Sequence, residues 1–191
     1  MMIAPPPLSP GHRIAVTGDD LREMVTEMSF ATTIAFDFET SGLRYWAGQK
    51  PIGFAVGAWS GGAPRCWYVP VCHMSPQRQA DPTHAREAFR DVLAAADELV
   101  GHNLKFDINM ARADNWEVPA WTPLHDTMIQ AYLIDEVRAL QLEKVVMQTG
   151  CSPYGDALDM KDAVEDWIKR RIKERRQSRS AYLSELGHAE V

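Results

Sequence analysis

Thr33-Ile34-Ala35-Phe36-Asp37-Phe38-Glu39-Thr40-Ser41-Gly42-Leu43 is the stretch whose reading decides the fold. Ile34, Phe36 and Phe38 alternate with Ala35, Asp37 and Glu39, the period-two pattern of a strand with one apolar face. Side chains two apart on a strand share a face, so Asp37 and Glu39 point the same way. Thr40-Ser41-Gly42 breaks the strand and leaves both carboxylates at its C-terminal end. Two like charges side by side repel unless something positive sits between them. Mg²⁺ and Mn²⁺ take hard oxygen ligands and are commonly held by one or two carboxylates plus substrate phosphates, which makes the pair a candidate metal site. Taken alone, an Asp-x-Glu after an apolar strand is more often only a polar strand end.

Working outward, Arg13 to Val16 reads as a short strand, and Gly18-Asp19-Asp20 as the cap of a helix carrying Leu21, Met24, Val25 and Met28 at helical spacing. After the carboxylate strand, Ile52–Trp59 and Arg65–Val71 are two further strands joined by a Gly61-Gly62 turn, giving an antiparallel meander. Asp81-Pro82 opens a helix with Ala85, Ala88, Phe89, Val92 and Leu93 on one face. Leu99-Val100-Gly101-His102 predicts a buried strand parallel to the first. Asn103 is placed to cap a helix from Leu104 to about Ala113. Pro119 and Pro123 bracket a loop, and His125-Asp126-Thr127 is expected to begin a helix with Met128, Ile129, Tyr132 and Leu133 facing inward. Leu140 to Met147 is expected to be helical, and Gly150 to Gly155 a break. A hairpin-rich sheet followed by alternating helix and strand is an α/β layered domain. Residues 1–11, with Pro5-Pro6-Pro7, read as an irregular leader, residues 12–158 as the domain, and residues 159–191 as a basic helical extension, expected to be an incomplete part of the same domain.

The 191 residues suit one domain with an extension. A net charge of −6 excludes a generally basic nucleic-acid coat. A local basic stretch stands out nonetheless: Lys169, Arg170, Arg171, Lys173, Arg175, Arg176 and Arg179 are opposed there only by Glu174. It reads equally as a solvated helix face or as a contact to a phosphate backbone. Cys66, Cys72 and Cys151 are odd in number and form no Cys-x-x-Cys pair, so neither a zinc site nor a disulfide framework is expected and a reducing compartment fits. With no signal-peptide pattern and no apolar run of membrane-spanning length, a cytoplasmic location is expected.

The second informative stretch is Gly101-His102-Asn103-Leu104-Lys105-Phe106-Asp107, running from a strand end into a helix. With Asn103 as cap, Asp107 stands one turn in, at a helix start receptive to phosphate, and supplies a third carboxylate near the sheet's C-terminal edge. An isolated Asp in a first turn usually only compensates the helix dipole.

Together, Asp37-Phe38-Glu39-Thr40 and His102-Asn103-x-Lys105-Phe106-Asp107 resemble the first two motifs of the DEDD family of 3′–5′ exonucleases, in the form found in the proofreading domain of family A polymerases. Asp126-Thr127-Met128, before an amphipathic helix, resembles the Asp-Thr-Met that follows there, so the likeness spans about residues 30–148. It implies a ribonuclease-H-like fold, a mixed sheet flanked by helices. It implies that Asp37 and Glu39 bind the metal activating the attacking water and that Asp107 holds a second, the two Mg²⁺ or Mn²⁺ ions about 3.5–4 Å apart. Leu43 falls where the family places an apolar wedge against the terminal base, Thr40 and Asn103 where it seats the 3′ nucleotide, and Lys105 beside them as a substrate-binding candidate. Leu43 as ordinary core and Lys105 as a solvated side chain are the plain alternatives, and Asp126 is expected to cap its helix. The implied partner is a single-stranded DNA 3′ end, RNA not being excluded, together with a polymerase domain.

The sequence departs from the family in one respect. The third motif, Tyr-x-x-x-Asp or His-x-x-x-x-Asp, is not found: Tyr154 is followed four residues on by Leu158, and Tyr182 by Leu186. A fragment completed by another chain, a degenerate nuclease that binds without cutting, and substitution by a late acidic residue such as Asp156, Asp159, Asp162 or Asp166 are the competing explanations. The chain alone is expected to be weakly active or inactive. A phosphatase opening with hydrophobic-Asp-x-Asp-x-Thr is the rival enzyme class, and Glu39 and the Asn103–Asp107 element both fit it worse.

Overall fold

The structure is a computed structural model that describes residues 11–74, 78–137 and 139–149. Contacts divide the chain into residues 1–127 and 128–191. The first unit is built on a six-stranded mixed sheet in the order β1-β4-β3-β2-β5-β6. Its strands are β1 (His12–Ile14), β2 (Thr33–Thr40), β3 (Pro51–Ser60), β4 (Ala63–Pro70), β5 (Glu98–Gly101) and β6 (Leu124–Asp126). β2, β3 and β4 form the expected antiparallel meander, with Asp37 opposite Ala55 and Glu39 opposite Gly53. β1 runs parallel to β4, and β5 parallel to β2 in register Thr33↔Glu98 to Ala35↔Val100. Gly61 and Gly62, both at positive φ, make the β3–β4 turn.

Periodicity decides which side of the sheet is core. Ile34, Phe36 and Phe38 of β2, Phe54 and Val56 of β3, and Trp67 and Val69 of β4 all point to one face and are buried. Against it lie α1 (Gly18–Met28), which buries Leu21, Met24 and Met28, and α2 (Pro82–Ala94), which buries Ala85, Ala88, Phe89, Val92 and Leu93. Asp81 caps α2, its side chain accepting from the Thr83 and His84 N–H groups, and Pro82 fills the first helical position. The cap of α1 is Thr17 rather than the expected Gly18-Asp19-Asp20: Thr17 and Asp20 form a reciprocal capping box. The Val16 and Thr17 N–H groups both donate to the Asp20 carboxylate and hold its pKa below the usual carboxylate range.

An aromatic cluster ties this layer to the carboxylate strand. Phe89 lies with its ring centroid 5.0 Å from those of Phe38 and Phe54, and Trp116 closes the group at 5.3 Å from Phe38 and 5.4 Å from Phe89. Trp116 sits in the loop after α3 (Leu104–Ala113), fixed by an indole N–H donated to Asp114 and by the Arg86 guanidinium over its ring. Phe38 is thereby anchored from one side, which fixes the backbone that carries Asp37 and Glu39.

Two expectations need correcting. His125 and Asp126 do not begin a helix: with Leu124 they form β6, parallel to β5, and α4 (Thr127–Ile134) starts one residue later. Three residues are too few to show a period, and the strand exists only through its pairing with Leu99 to Gly101. Within α4 no residue is buried, and Ile129, Tyr132 and Leu133, expected to face inward, are exposed. α5 (Leu142–Thr149) falls two residues later than its expected start. The Gly150–Gly155 break, the basic stretch 169–179 and the boundary at 158/159 lie outside the described residues.

Candidate active site

β2 is longer than β5, the neighbour it pairs with in parallel. β5 ends at Gly101, opposite no residue beyond Ala35, whereas β2 continues to Thr40. The N–H groups along that edge therefore lose their strand partner where the carboxylates begin. A lost ladder bond at a buried position has to be replaced. α3 supplies the replacement: Asp107 Oδ1 accepts the Phe38 N–H at 3.0 Å. Asp107 is 2% exposed and is the only buried charged or polar residue among the described residues. Its carboxylate thus sits against the peptide between Asp37 and Glu39, although 69 positions separate it from Phe38 in sequence.

The start of α3 is bent into position by backbone strain and close contact. Asn103 adopts the left-handed conformation, φ 65° and ψ 42°, which Asn tolerates better than most residues. It occupies the cap position as expected, but its side chain makes no capping bond. Its N–H donates instead to Asp126 Oδ1 at 2.9 Å, so β6 holds the turn. Thr127 adds a second tie, donating to the Gly101 carbonyl at 3.1 Å while its Oγ1 also pairs with His102 Nδ1 at 2.9 Å. Gly101 is required there, because a Cβ would meet Leu104 and come within 3.1 Å of the Phe36 carbonyl.

The electrostatics are those of crowded acids. Burial pushes Asp107 up to about 7, against the pull of the Phe38 N–H, and the charges of Asp37 and Asp126 raise it further. Asp37 lies on the exposed face of β2, yet enough protein surrounds its carboxyl to push it up to about 6, with Glu39 raising it and His102 lowering it. On the next strands, the Tyr68 phenol passes over Gly53, where a Cβ would lie 2.2 Å from its oxygen. Gly53 is the register partner of Glu39, and partial burial with the Glu39 charge raises Tyr68 to about 12. His73 Nε2 bonds the Tyr68 hydroxyl, and Gln79 clamps the His73 backbone from both its N–H and its carbonyl. Tyr68, His73 and Trp116 carried no recognisable signal in sequence, whereas His102 opens the second motif; only the strand register brings Tyr68 beside Glu39.

The remaining sequence candidates are placed as follows. Thr40 donates its hydroxyl to the Gly42 carbonyl at 3.0 Å. Leu43 is 69% exposed, which rules out its reading as ordinary core. Asn103 and Lys105 lie at the start of α3, and both are exposed. Among the described residues no three His, Cys, Asp or Glu side chains are gathered closely enough to hold an ion. The donor chemistry still fits a hard cation. Asp37 and Asp107 are close enough for one charge to disturb the other, and Mg²⁺ is ordinarily held by one or two carboxylates completed by water and substrate phosphates.

A mixed sheet packed against helices, with acids at the end of β2, is a ribonuclease-H-like arrangement. The 3′-5′ exonuclease domain profile of the DNA polymerase A type matches residues 13–181, and the chain belongs to that family. It is 25% identical over 158 residues to DNA polymerase I of Borreliella burgdorferi, an alignment covering 79% of this chain and 16% of that protein. The chain thus spans about a sixth of the relative it matches. In fold it resembles Escherichia coli RNase D, an exoribonuclease involved in structured RNA processing, with TM-score 0.50 and 17% identity over 76% of this chain and 35% of the other. It also resembles a chain in the structure of the yeast NOT1 MIF4G domain co-crystallised with CAF1, with TM-score 0.54 and 14% identity over 81% and 84% of the two chains.

Proposed function

We propose that this chain engages the 3′ end of a single-stranded nucleic acid at the Asp37–Glu39–Asp107 edge, with Mg²⁺ or Mn²⁺, for 3′–5′ hydrolysis of the terminal phosphodiester. The observation that carries it is the hydrogen bond from the Phe38 N–H to Asp107, which supports convergence of the second motif on the first. Asp37, Glu39 and Asp107 would hold the cations; Thr40 and Asn103 would seat the terminal nucleotide, Leu43 would wedge against its base and Lys105 would meet its phosphate. When bound, the cations supply a Lewis acid for the attacking water and for the leaving 3′ oxygen. The protein's part is to hold Asp107 against the strand edge with Asp37 near enough to feel its charge, so that cation and substrate would complete the set.

The fourth carboxylate that the family takes from a Tyr-x-x-x-Asp motif has no match in this sequence. The chain alone is therefore expected to bind a 3′ end with metal and to turn it over slowly or not at all. A partner supplying that motif and a neighbouring polymerase domain belong to this reading, as do a proofreading role in DNA replication and a cytoplasmic setting. Among the described residues no helix is long and apolar enough to cross a membrane. Leu158 and Leu186, standing where the aspartate of that motif would follow Tyr154 or Tyr182, favour a second reading, a nucleic-acid-binding module that never cuts. A 3′-tailed oligonucleotide labelled at its 5′ end decides between them. Mn²⁺-dependent binding lost in Asp37→Ala is expected. A slow ladder from the 3′ end, also lost in that variant, favours the nuclease, binding with no ladder favours the module, and absence of any binding, with or without Mn²⁺, would refute both.

A further inference from the structure

Between the end of β2 and the start of β3 lies the segment Ser41-Gly42-Leu43-Arg44-Tyr45-Trp46-Ala47-Gly48-Gln49-Lys50. It begins two residues after Glu39. Its only charged residues are Arg44 and Lys50, a local excess of positive charge in a chain whose net charge is −6. The segment is built rather than loose. The Ser41 N–H donates to the Lys50 carbonyl at 2.9 Å, and the Lys50 N–H returns to Ser41 Oγ at 2.9 Å, closing its foot. Gln49 Oε1 accepts the Arg44 N–H across the middle. Tyr45–Ala47 forms a 3₁₀ turn ended by Gly48 at φ 81°, and this turn lies against α3, the helix that carries Asp107 and Lys105. The Lys50 ammonium reaches Asp114 at the end of the same helix, 3.6 Å away.

On this fixed frame Trp46 is 71% exposed, close to Leu43 at 69%. Its ring meets Tyr45 edge-to-face, centroids 4.9 Å apart and planes at 88°, while most of its surface stays open to solvent. A held, solvent-facing indole flanked by cations, on the same edge as the carboxylates, is the combination by which proteins grip unpaired strands. Bases stack on the ring whatever their identity, and cations meet the phosphates between them.

We propose that residues 41–50 form a stacking shelf for a single-stranded nucleic acid, with a nucleobase lying on Trp46 and a backbone phosphate beside Arg44. This rests on the exonuclease reading above and adds to it where the strand runs once its 3′ end is seated. The shelf makes recognition tolerant of sequence and dependent on unpaired bases, because a base held in a duplex cannot present its face.

The test uses the full 191-residue chain with Mn²⁺ and fluorescence anisotropy of an oligothymidylate labelled at its 5′ end and carrying phosphorothioate linkages at its 3′ end, so that cutting does not deplete the strand. Trp46→Ala is expected to weaken binding roughly 5- to 150-fold, the range spanned by loss of one base–aromatic stack. Trp46→Phe is expected to retain most of the affinity, and Trp121→Ala, which removes an exposed indole elsewhere, to retain all of it. An oligonucleotide carrying successive abasic positions is expected to erase the difference between wild type and Trp46→Ala. Equal binding by wild type and Trp46→Ala, within twofold, would overturn the shelf and leave the exonuclease reading standing. Failure of the wild type to bind any single strand, with or without Mn²⁺, would overturn both.

Discussion

Asp107→Asn in the metal-free chain isolates the electrostatic cost of the site. The Asp107 carboxyl is pushed from 3.8 up to about 7 on folding, chiefly by burial. A folded-state pKa above the unfolded one means that the native state binds more protons across that window. Stability therefore falls as pH rises from about 4 to about 7, and the favourable contribution is fully present only below the unfolded pKa. At about 1.36 kcal/mol per pKa unit the full penalty at pH 8 is at most about 4 kcal/mol. Asp37, whose charge contributes to it, titrates in the same window, so about 2–3 kcal/mol is expected for Asp107 alone. The asparagine side chain has no charge to bury and retains an oxygen to accept the Phe38 N–H. In EDTA, thermal unfolding followed by circular dichroism should show the wild type losing stability between pH 5 and pH 8 and the variant losing far less. At pH 8 the variant should melt roughly 4–12 °C above the wild type, at about 2–4 °C per kcal/mol for a chain of this size. An Asp107→Asn variant with wild-type pH dependence, or one less stable than wild type at pH 8, would refute the reasoning.

Phe89→Ala removes the hub of the aromatic cluster, a residue with no exposed surface that touches Phe36, Phe38, Phe54 and Trp116. Urea unfolding should show a loss of about 3–5 kcal/mol, and a loss under about 1 kcal/mol would contradict the packing. Gly101→Ala presses a methyl group against Leu104 and the Phe36 carbonyl. It is expected to cost about 1–3 kcal/mol and to reduce Mn²⁺-dependent oligonucleotide binding by displacing Asp107, whereas Gly57→Ala, where a Cβ meets only the Arg65 carbonyl at 3.5 Å, should change binding little.

Local pattern and tertiary accident divide what the sequence reveals. Phe36 and Phe38 alternating with Asp37 and Glu39, the Gly61-Gly62 turn and the α2 face of Ala85, Phe89 and Val92 each carry their structure within a few residues, so the meander and its covering helices were legible. The Leu99–Gly101 strand was legible because it is short, apolar and followed by a turn. β6 was not, since Leu124-His125-Asp126 has no period of its own and becomes a strand only beside β5. Asp107 could be marked as a third acid from motif spacing, but its burial depends on β5 ending before β2 does, which is a property of two strands compared. Tyr68 beside Glu39 depends on a missing side chain at Gly53, a detail no linear pattern expresses.

The Phe38–Asp107 bond has one more consequence. The Phe38 N–H is an interior donor, and a buried backbone group left without a partner costs about 1–3 kcal/mol. Asp107 satisfies it and is a ligand candidate at the same time. Truncating it to alanine would remove both at once, so an inactive Asp107→Ala preparation would report a weakened strand end as readily as lost chemistry.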